Sequence, residues 1–563
     1  MITSNAMPYL FESARNLIRT TWPSALVALA AWISIVVAID PGGSYPSMPE
    51  GPGLTVDEIF NVEQGVYLVE QCRALGWLNL IPSTSLEAFR PENNYNPDHP
   101  PLGRYWLGVH HHLAWWLAPP MDPDGPFVTA CARTGSATAF ALTVWLIGAF
   151  AARRFTPPGD FRGWAGGMTS AALVLMPRVY GHAHLASLET ITNLTCTAAV
   201  LAVAAWWSGP TLPTRRAAFF VGLLMGLALL TKIQAILIPI PVIAWALCRW
   251  RQKSIVPLMI WGTTAVVLFY AAWPYLWLNP IGHLFEYLGR TTNRATLHCF
   301  YLGTRYPDKL VPWHYPFVMF AVTVPVVLHL LGGFAIASRI RTVEASRPLE
   351  DLSADRWRGW LLMSCALFPL VTFALPGVAV YDGERLFLTV FPLWAILVGH
   401  GAVRGMQWLA RSTTKGIAIT FACALLLIQF GTNLRSHPSY LSYYSIAVGG
   451  TAGADKLGLE LNYWGDSLTR TLLTEASSDV GEYTGVQILP SLHPFQNDDL
   501  LRQSPILRRR QSTAAASDRS TPLRLAFRRR ADFSDVLFME YWHSHASRHS
   551  GRPLGTYLRP PKE

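Results

Sequence analysis

Charge is scarce in this chain: Asp, Glu, Lys and Arg make up 14% of 563 residues, apolar types reach 51%, and the mean hydropathy is +0.25. That balance excludes an ordinary soluble enzyme of this size, in which roughly a quarter of residues are charged. Cysteines are few and dispersed. Five of the seven, Cys131, Cys196, Cys248, Cys365 and Cys423, lie singly inside apolar runs, so no metal-ligand spacing is present. Cys72 and Cys299 fall in loops on one expected side, where two unpaired thiols are expected in preference to a bridge. No repeat of solenoid or propeller period is visible. The first apolar run lacks a small-residue cleavage site before Asp40, so it reads as a retained span. The net charge of +10 does not indicate a nucleic-acid partner, because Lys and Arg concentrate in short loops between apolar runs, as topology signals do.

What is abundant is apolar sequence in runs of bilayer length, which recur until Arg435 and lack the dyad alternation of barrel strands. About eleven transmembrane helices are expected, because only helices satisfy every backbone amide within such a run. They are placed near Trp22–Ile39, Phe127–Phe150, Trp164–Tyr180, Leu188–Trp207, Ala217–Thr231, Ile233–Cys248, Val256–Leu278, Pro316–Ser338, Trp360–Pro376, Leu386–Gly401 and Ile417–Asn433. The Arg and Lys residues of alternate loops, such as Arg153, Arg154, Arg215, Arg216, Arg404 and Lys415, then share one face, the cytoplasmic one, along with the N-terminus. The opposite, periplasmic face carries the long loop 41–126, the loops after Asn279 and Gly377, and everything beyond Arg435. A transmembrane domain over 1–434 and a small C-terminal α/β domain over 435–563 follow. Val486–Leu489 and Val536–Met539 read as strands of that domain, and Ser504–Ser520 as a flexible loop in it.

In the first external loop, Asp57 and Glu58 open a run to Leu75 whose apolar members have helical spacing, the pattern of an amphipathic helix at the membrane surface. Two readings of the acids stand side by side: N-terminal capping and dipole complementation, or a general base with an acceptor-orienting neighbour. The string from Asn96 to Arg104 contains His99, Pro100 and Pro101; it ends a loop and opens a second surface helix, Leu102–Leu117, with Arg104 in reach of a headgroup phosphate. His110, His111 and His112 are adjacent, so they point apart and suggest no metal site. Glu189 sits with His182 and His184 at the mouth of the fourth span, where an acid is functional or simply hydrated. Arg133, Lys232 and Arg385 are candidates for binding a lipid phosphate or, alternatively, snorkel to the interface.

Taken in order, the Asp57–Glu58 pair, the HPPLG-Arg string from His99 to Arg104, Arg133, Glu189, GLALLTK ending at Lys232, YDGERLFL from Tyr381, HPSYLSYY from His437 and NYWGDS from Asn462 resemble the C-superfamily membrane glycosyltransferases, in the protein O-mannosyltransferase and aminoarabinose transferase branch. The resemblance implies a polyprenyl-phosphate sugar donor entering from the bilayer and inverting transfer to a lipid, glycan or protein at the extracytoplasmic face of the inner membrane. It implies Asp57 as general base and Glu58 as the group orienting the acceptor. Arg104, Arg133, Lys232 and Arg385 are then the ligands of the leaving phosphate. His99, Glu189, Tyr381 and Asp382 are implied as motif or substrate contacts, and a divalent cation between Asp57 and Glu189 is the one cofactor implied. The C-terminal region is too short and strand-poor for the β-trefoil of eukaryotic mannosyltransferases.

Two further classes compete with the enzyme. A transporter or flippase would favour repeated halves with broken helices meeting at mid-membrane, and no such repeat is visible. A noncatalytic scaffold would tolerate Glu189 where the family usually has Asp.

Overall fold

A computed structural model of the protein describes residues 6–75, 86–292, 295–341, 349–491, 493, 495–511, 522–534, 537–538 and 546–557. Every expected span falls on helical backbone, but several are broken where proline removes a backbone donor. The Trp164–Tyr180 run divides into helices Ala165–Val174 and Pro177–His182. The Pro316–Ser338 run divides into Tyr315–Thr323 and Val326–Arg341, bent by 110° around Pro325. Among the described residues, four helical segments are long and apolar enough to cross a membrane: Thr129–Arg154, Leu188–Trp206, Ile233–Ala271 and Lys415–Ser436; the bent pair makes a fifth. Length and apolarity alone therefore identify fewer spans than the eleven expected, because the remaining runs are short, interrupted or carry charge.

The outer helices present large apolar side chains outward, among them Met259, Val266 and Val267 on one and Phe421, Leu427 and Ile428 on another. Such continuous apolar surface is stable only against lipid, so the chain is a multi-pass membrane protein. Leu188–Trp206 lies inside the bundle and is largely buried.

Helix α1 (Ala6–Val36) leads into the first external loop, and helix α2 (Val56–Leu75) follows. Ile59, Val62, Val66 and Val69 of α2 are all buried. This corrects the expectation of a surface-lying helix: α2 is sandwiched by protein, and its crossing with helix Pro101–Leu117 is close enough that a Cβ on Gly108 would stand 2.1 Å from the carbonyl oxygen of Gly65. The second helix does fit the surface reading, exposing Val109, Leu113, Trp116 and Leu117. Its three histidines diverge as expected: His111 accepts the N–H of Val128 at 3.1 Å, while His110 and His112 bond to carbonyls one turn back. Cys72 and Cys299 are buried free thiols.

Beyond helix Lys415–Ser436 the chain forms a small sheet of order β3-β4-β6-β5, with β3 (Val486–Leu489) parallel to β4 (Leu523–Phe527) and β6 (Arg552–Tyr557) antiparallel to both β4 and β5 (Ala546–His549). A separate two-stranded ribbon, β1 (His298–Tyr301) with β2 (Thr304–Pro307), lies in the Asn279–Tyr315 loop. The sheet's core, including Leu472, Ile488, Leu525 and Phe527, also takes in Leu54 from the first external loop. Of the expected strand at 536–539 the described residues, Leu537 and Phe538, are helical, the Phe538 N–H donating to the carbonyl of Ser534, which corrects that expectation; residues 536 and 539 lie outside the described residues, as does 512–520 of the expected flexible loop. The described part of that loop corrects the expectation, since Pro505–Arg508 is a helical turn anchored by buried Leu507.

Candidate active site

Four chain breaks bring the charged candidates together. Asp57 stands in the first turn of α2 and Glu189 in the first turn of Leu188–Trp206. Lys232 lies in extended backbone between helix Arg215–Leu229 and the turn Ile233–Leu237. Arg385 opens the turn Arg385–Phe387. Helix starts gather acids because the dipole favours negative charge there, and loops that interrupt spans leave their cations at the same level.

Arg385 is the hub. Its Nη1 lies 2.8 Å from Asp57 Oδ2 and donates to Asp382 Oδ2 at 3.1 Å, and its Nε is 3.0 Å from Glu189 Oε1. The Nε–H has no hydrogen-bonding geometry to that oxygen, so the Glu189 contact is purely ionic. Lys232 donates to the same Glu189 oxygen at 2.5 Å. Asp57 is the rim member, its side chain 35% exposed against 11% for Arg385 and 5% for Glu189. His99 adjoins this charge, and burial together with the nearby Lys232 and Arg104 cations pushes its imidazole well below the usual range, so it is neutral. Tyr381 places its ring 5.4 Å from the Arg385 guanidinium.

The remaining candidates are elsewhere. Glu58 is fully buried and forms a fork with Arg133, Nε to Oε1 at 2.7 Å and Nη2 to Oε2 at 2.8 Å. Its carboxylate also accepts the N–H groups of Ala186 and Thr55, the latter one half of a capping box at the start of α2. Arg133 completes its fork on the carbonyls of Ile39, Pro52 and Gly53. This corrects two expectations: Glu58 has no free oxygen for an acceptor, and Arg133 has no free face for a phosphate. Arg104, 1% exposed, is turned into the loop, donating to Asn61 Oδ1 and to the carbonyl of Asn96. It therefore holds the His99 loop against α2 and does not face a headgroup.

Sequence reasoning missed what surrounds Arg385. Trp464 stacks on its guanidinium at 4.5 Å, and Arg529 lies 3.2 Å from Asp382 Oδ1. Arg178 donates to Glu384 Oε2 at 2.7 Å and to the carbonyl of Tyr443 at 2.8 Å. The turn holding these groups is left-handed at Asp382 (φ 55°) and Gly383 (φ 67°), and a Cβ on Gly383 would meet Arg178 Nη1 at 2.9 Å. Burial raises the Asp382 and Glu384 carboxyls against the pull of their arginines. His182 Nε2 approaches Glu384 Oε1 at 3.8 Å, but burial and the Arg385 and Arg178 charges push that imidazole down to about 3, so this is no ion pair at neutral pH. The signal for Glu384 and Trp464 was present in YDGER and NYWGDS; Arg178 and Arg529 lie in neither string, and the mutual contact was not legible.

A water-sized cavity is lined by Cys196, Thr197, Gln234, Leu237, Cys365 and Thr389, among others. Cys196 is seven residues into the helix from Glu189, Gln234 two beyond Lys232, and Thr389 four beyond Arg385. The cavity thus draws its lining from the same chain segments that carry Glu189, Lys232 and Arg385.

No family model and no curated protein matches the chain. Solved structures similar to it include ArnT from Cupriavidus metallidurans bound to undecaprenyl phosphate, 13% identical over 96% of this chain and 98% of that one with a TM-score of 0.46, and the same protein in the apo state, 13% identical over 99% and 100% with a TM-score of 0.48.

Proposed function

We propose that the protein is a membrane glycosyltransferase of the C-superfamily type, transferring a monosaccharide from a polyprenyl-phosphate donor to a hydroxyl or phosphate of a lipid, glycan or protein acceptor. The observation that carries this reading is the convergence of a solvent-reachable carboxylate, Asp57, with Arg385 and Lys232 around Glu189. A phosphate at the cluster would meet Arg385 and Lys232, while its hydrocarbon chain stays in the bilayer. Asp57 would take the proton of an acceptor hydroxyl as that oxygen attacks the anomeric carbon. The bond from that carbon to the phosphate oxygen breaks on the opposite face, so configuration inverts and polyprenyl phosphate leaves. Cations fixed at the leaving oxygen stabilise the charge that develops there, commonly the largest contribution in such transfers. The loops rich in Arg and Lys support a cytoplasmic N-terminus in the inner membrane, with the cluster and the C-terminal domain periplasmic.

The test is sugar transfer in lipid nanodiscs. A polyprenyl-phosphate sugar should be used and a nucleotide sugar should not; efficient use of the nucleotide sugar overturns the reading. Asp57→Asn should lower turnover by about 10²–10⁴-fold, the usual contribution of a general base, with unchanged expression and thermal midpoint.

A further inference from the structure

We propose that Arg385 is the resident cation of its carboxylate cluster, so that the site works without a bound divalent ion. The transfer half of this statement rests on the function proposed above; the binding half does not. Three carboxylates converge on one guanidinium: Asp57 at 2.8 Å, Glu189 at 3.0 Å and Asp382 at 3.1 Å. A Mg²⁺ or Mn²⁺ ion between Asp57 and Glu189 would need their oxygens at about 2.0–2.2 Å in near-octahedral array, in the space the guanidinium fills. The Glu189 oxygen nearest that space already takes Lys232 at 2.5 Å.

Arg385 is also held in place. Trp464 covers one face of its guanidinium, and its backbone leaves the left-handed turn at Asp382 and Gly383. Charge makes the same point. Asp57, Glu189 and Asp382 face Arg385 and Lys232, and Arg529, 3.2 Å from Asp382, divides its charge between that residue and Asp532 at 2.6 Å. A divalent ion added to these groups would leave a net positive charge in a largely buried place, at a high desolvation cost. The carboxylates and the space expected to hold a metal are present, but the residues between them do not fit one. Arg385 instead offers the donor phosphate a fixed positive charge, and an arriving phosphate would compete with Asp57, the most exposed of its three partners.

Full-length protein in nanodiscs, stripped with EDTA and desalted, should be titrated with Mn²⁺ while free ion is followed by electron paramagnetic resonance. The wild type should show no stoichiometric site. Arg385→Gln, which leaves three carboxylates without their cation, should bind Mn²⁺ roughly tenfold more tightly or better, and Asp57→Asn in that background should remove the gain. A stoichiometric Mn²⁺ site in the wild type that Asp57→Asn or Glu189→Gln abolishes overturns the proposal, as does a well-folded Arg385→Gln protein with no gain. If that variant does not fold, the wild-type titration with its Asp57→Asn and Glu189→Gln controls decides. Sugar transfer by the wild type should be equal in EDTA and in Mn²⁺. Transfer restored only by Mn²⁺ also overturns the proposal, whereas no transfer under either condition counts against the glycosyltransferase reading and leaves the ion titration to decide this one.

Discussion

Adjacent carboxylates take opposite roles in α2 because successive side chains on a helix point about 100° apart. Asp57 reaches the rim, while Glu58 turns inward and binds Arg133, Ala186 and Thr55. Removing one partner of a buried pair leaves the other charge uncompensated, typically at about 3–5 kcal/mol. Glu58→Ala should therefore lower the thermal midpoint in detergent sharply, whereas Asp57→Asn should not. Equal midpoints for the two variants would contradict this division.

Glu460 is a second inward carboxyl. It accepts the N–H groups of Arg530 and Ala531, yet burial raises it to about 8 from an ordinary 4.5. Between those values the folded protein keeps a proton that the unfolded chain releases, so stability falls as pH rises through that window. Asp466, raised by burial to about 7, acts in the same sense. Glu460→Gln should flatten the fall of the thermal midpoint between about pH 5 and 8, and an unchanged pH profile would count against a proton held there.

At the scale of elements, the breaks matter more than the helices. Proline divides runs that hydropathy reads as single spans, while the site assembles from the first turns of α2 and Leu188–Trp206 and from the linkers at Lys232 and Arg385. Arg385 owes its direction to a turn with two left-handed residues and to the ring of Trp464. Trp464 is thus a positioning residue acting through Arg385. Trp464→Ala should raise KM for the polyprenyl donor several-fold, with a smaller change in kcat, because stacking of a partly buried cation on an aromatic face contributes about 1–2 kcal/mol. Trp464→Phe should recover most of the loss. Equal defects in Phe and Ala variants would show that the ring face is not what holds Arg385.

For the whole molecule, the C-terminal domain completes the site and does not hang from a linker. Arg470 pairs with Asp40 at 2.7 Å, the Gly53 N–H donates to the carbonyl of Asp466 at 2.7 Å, and Leu54 enters the sheet's core. Trp464 and Arg529 come from beyond residue 435 and meet Arg385 and Asp382. A chain ended after Arg435 should lose transfer entirely and show rapid protease cleavage between Asp40 and Thr55, mapped by mass spectrometry. Survival of that loop after truncation would mean that it holds its shape without the domain.

Composition and run length by themselves determined that this chain lives in lipid, roughly where its helical runs lie, and which loops hold the acids and cations, because hydrocarbon length and backbone satisfaction act locally along a sequence. The order of short strings was enough to suggest a glycosyltransferase and to single out Asp57, Glu189, Lys232 and Arg385. Only the tertiary structure decided that Glu58 and Arg133 bind each other, that Arg104 secures a loop, and that Trp464 and Arg529 reach back from beyond residue 435 to the same cluster. Charged side chains look alike in a sequence. Whether one is free for chemistry depends on which opposite charge the fold brings within about 3 Å, and pairings of that kind join elements far apart in the chain.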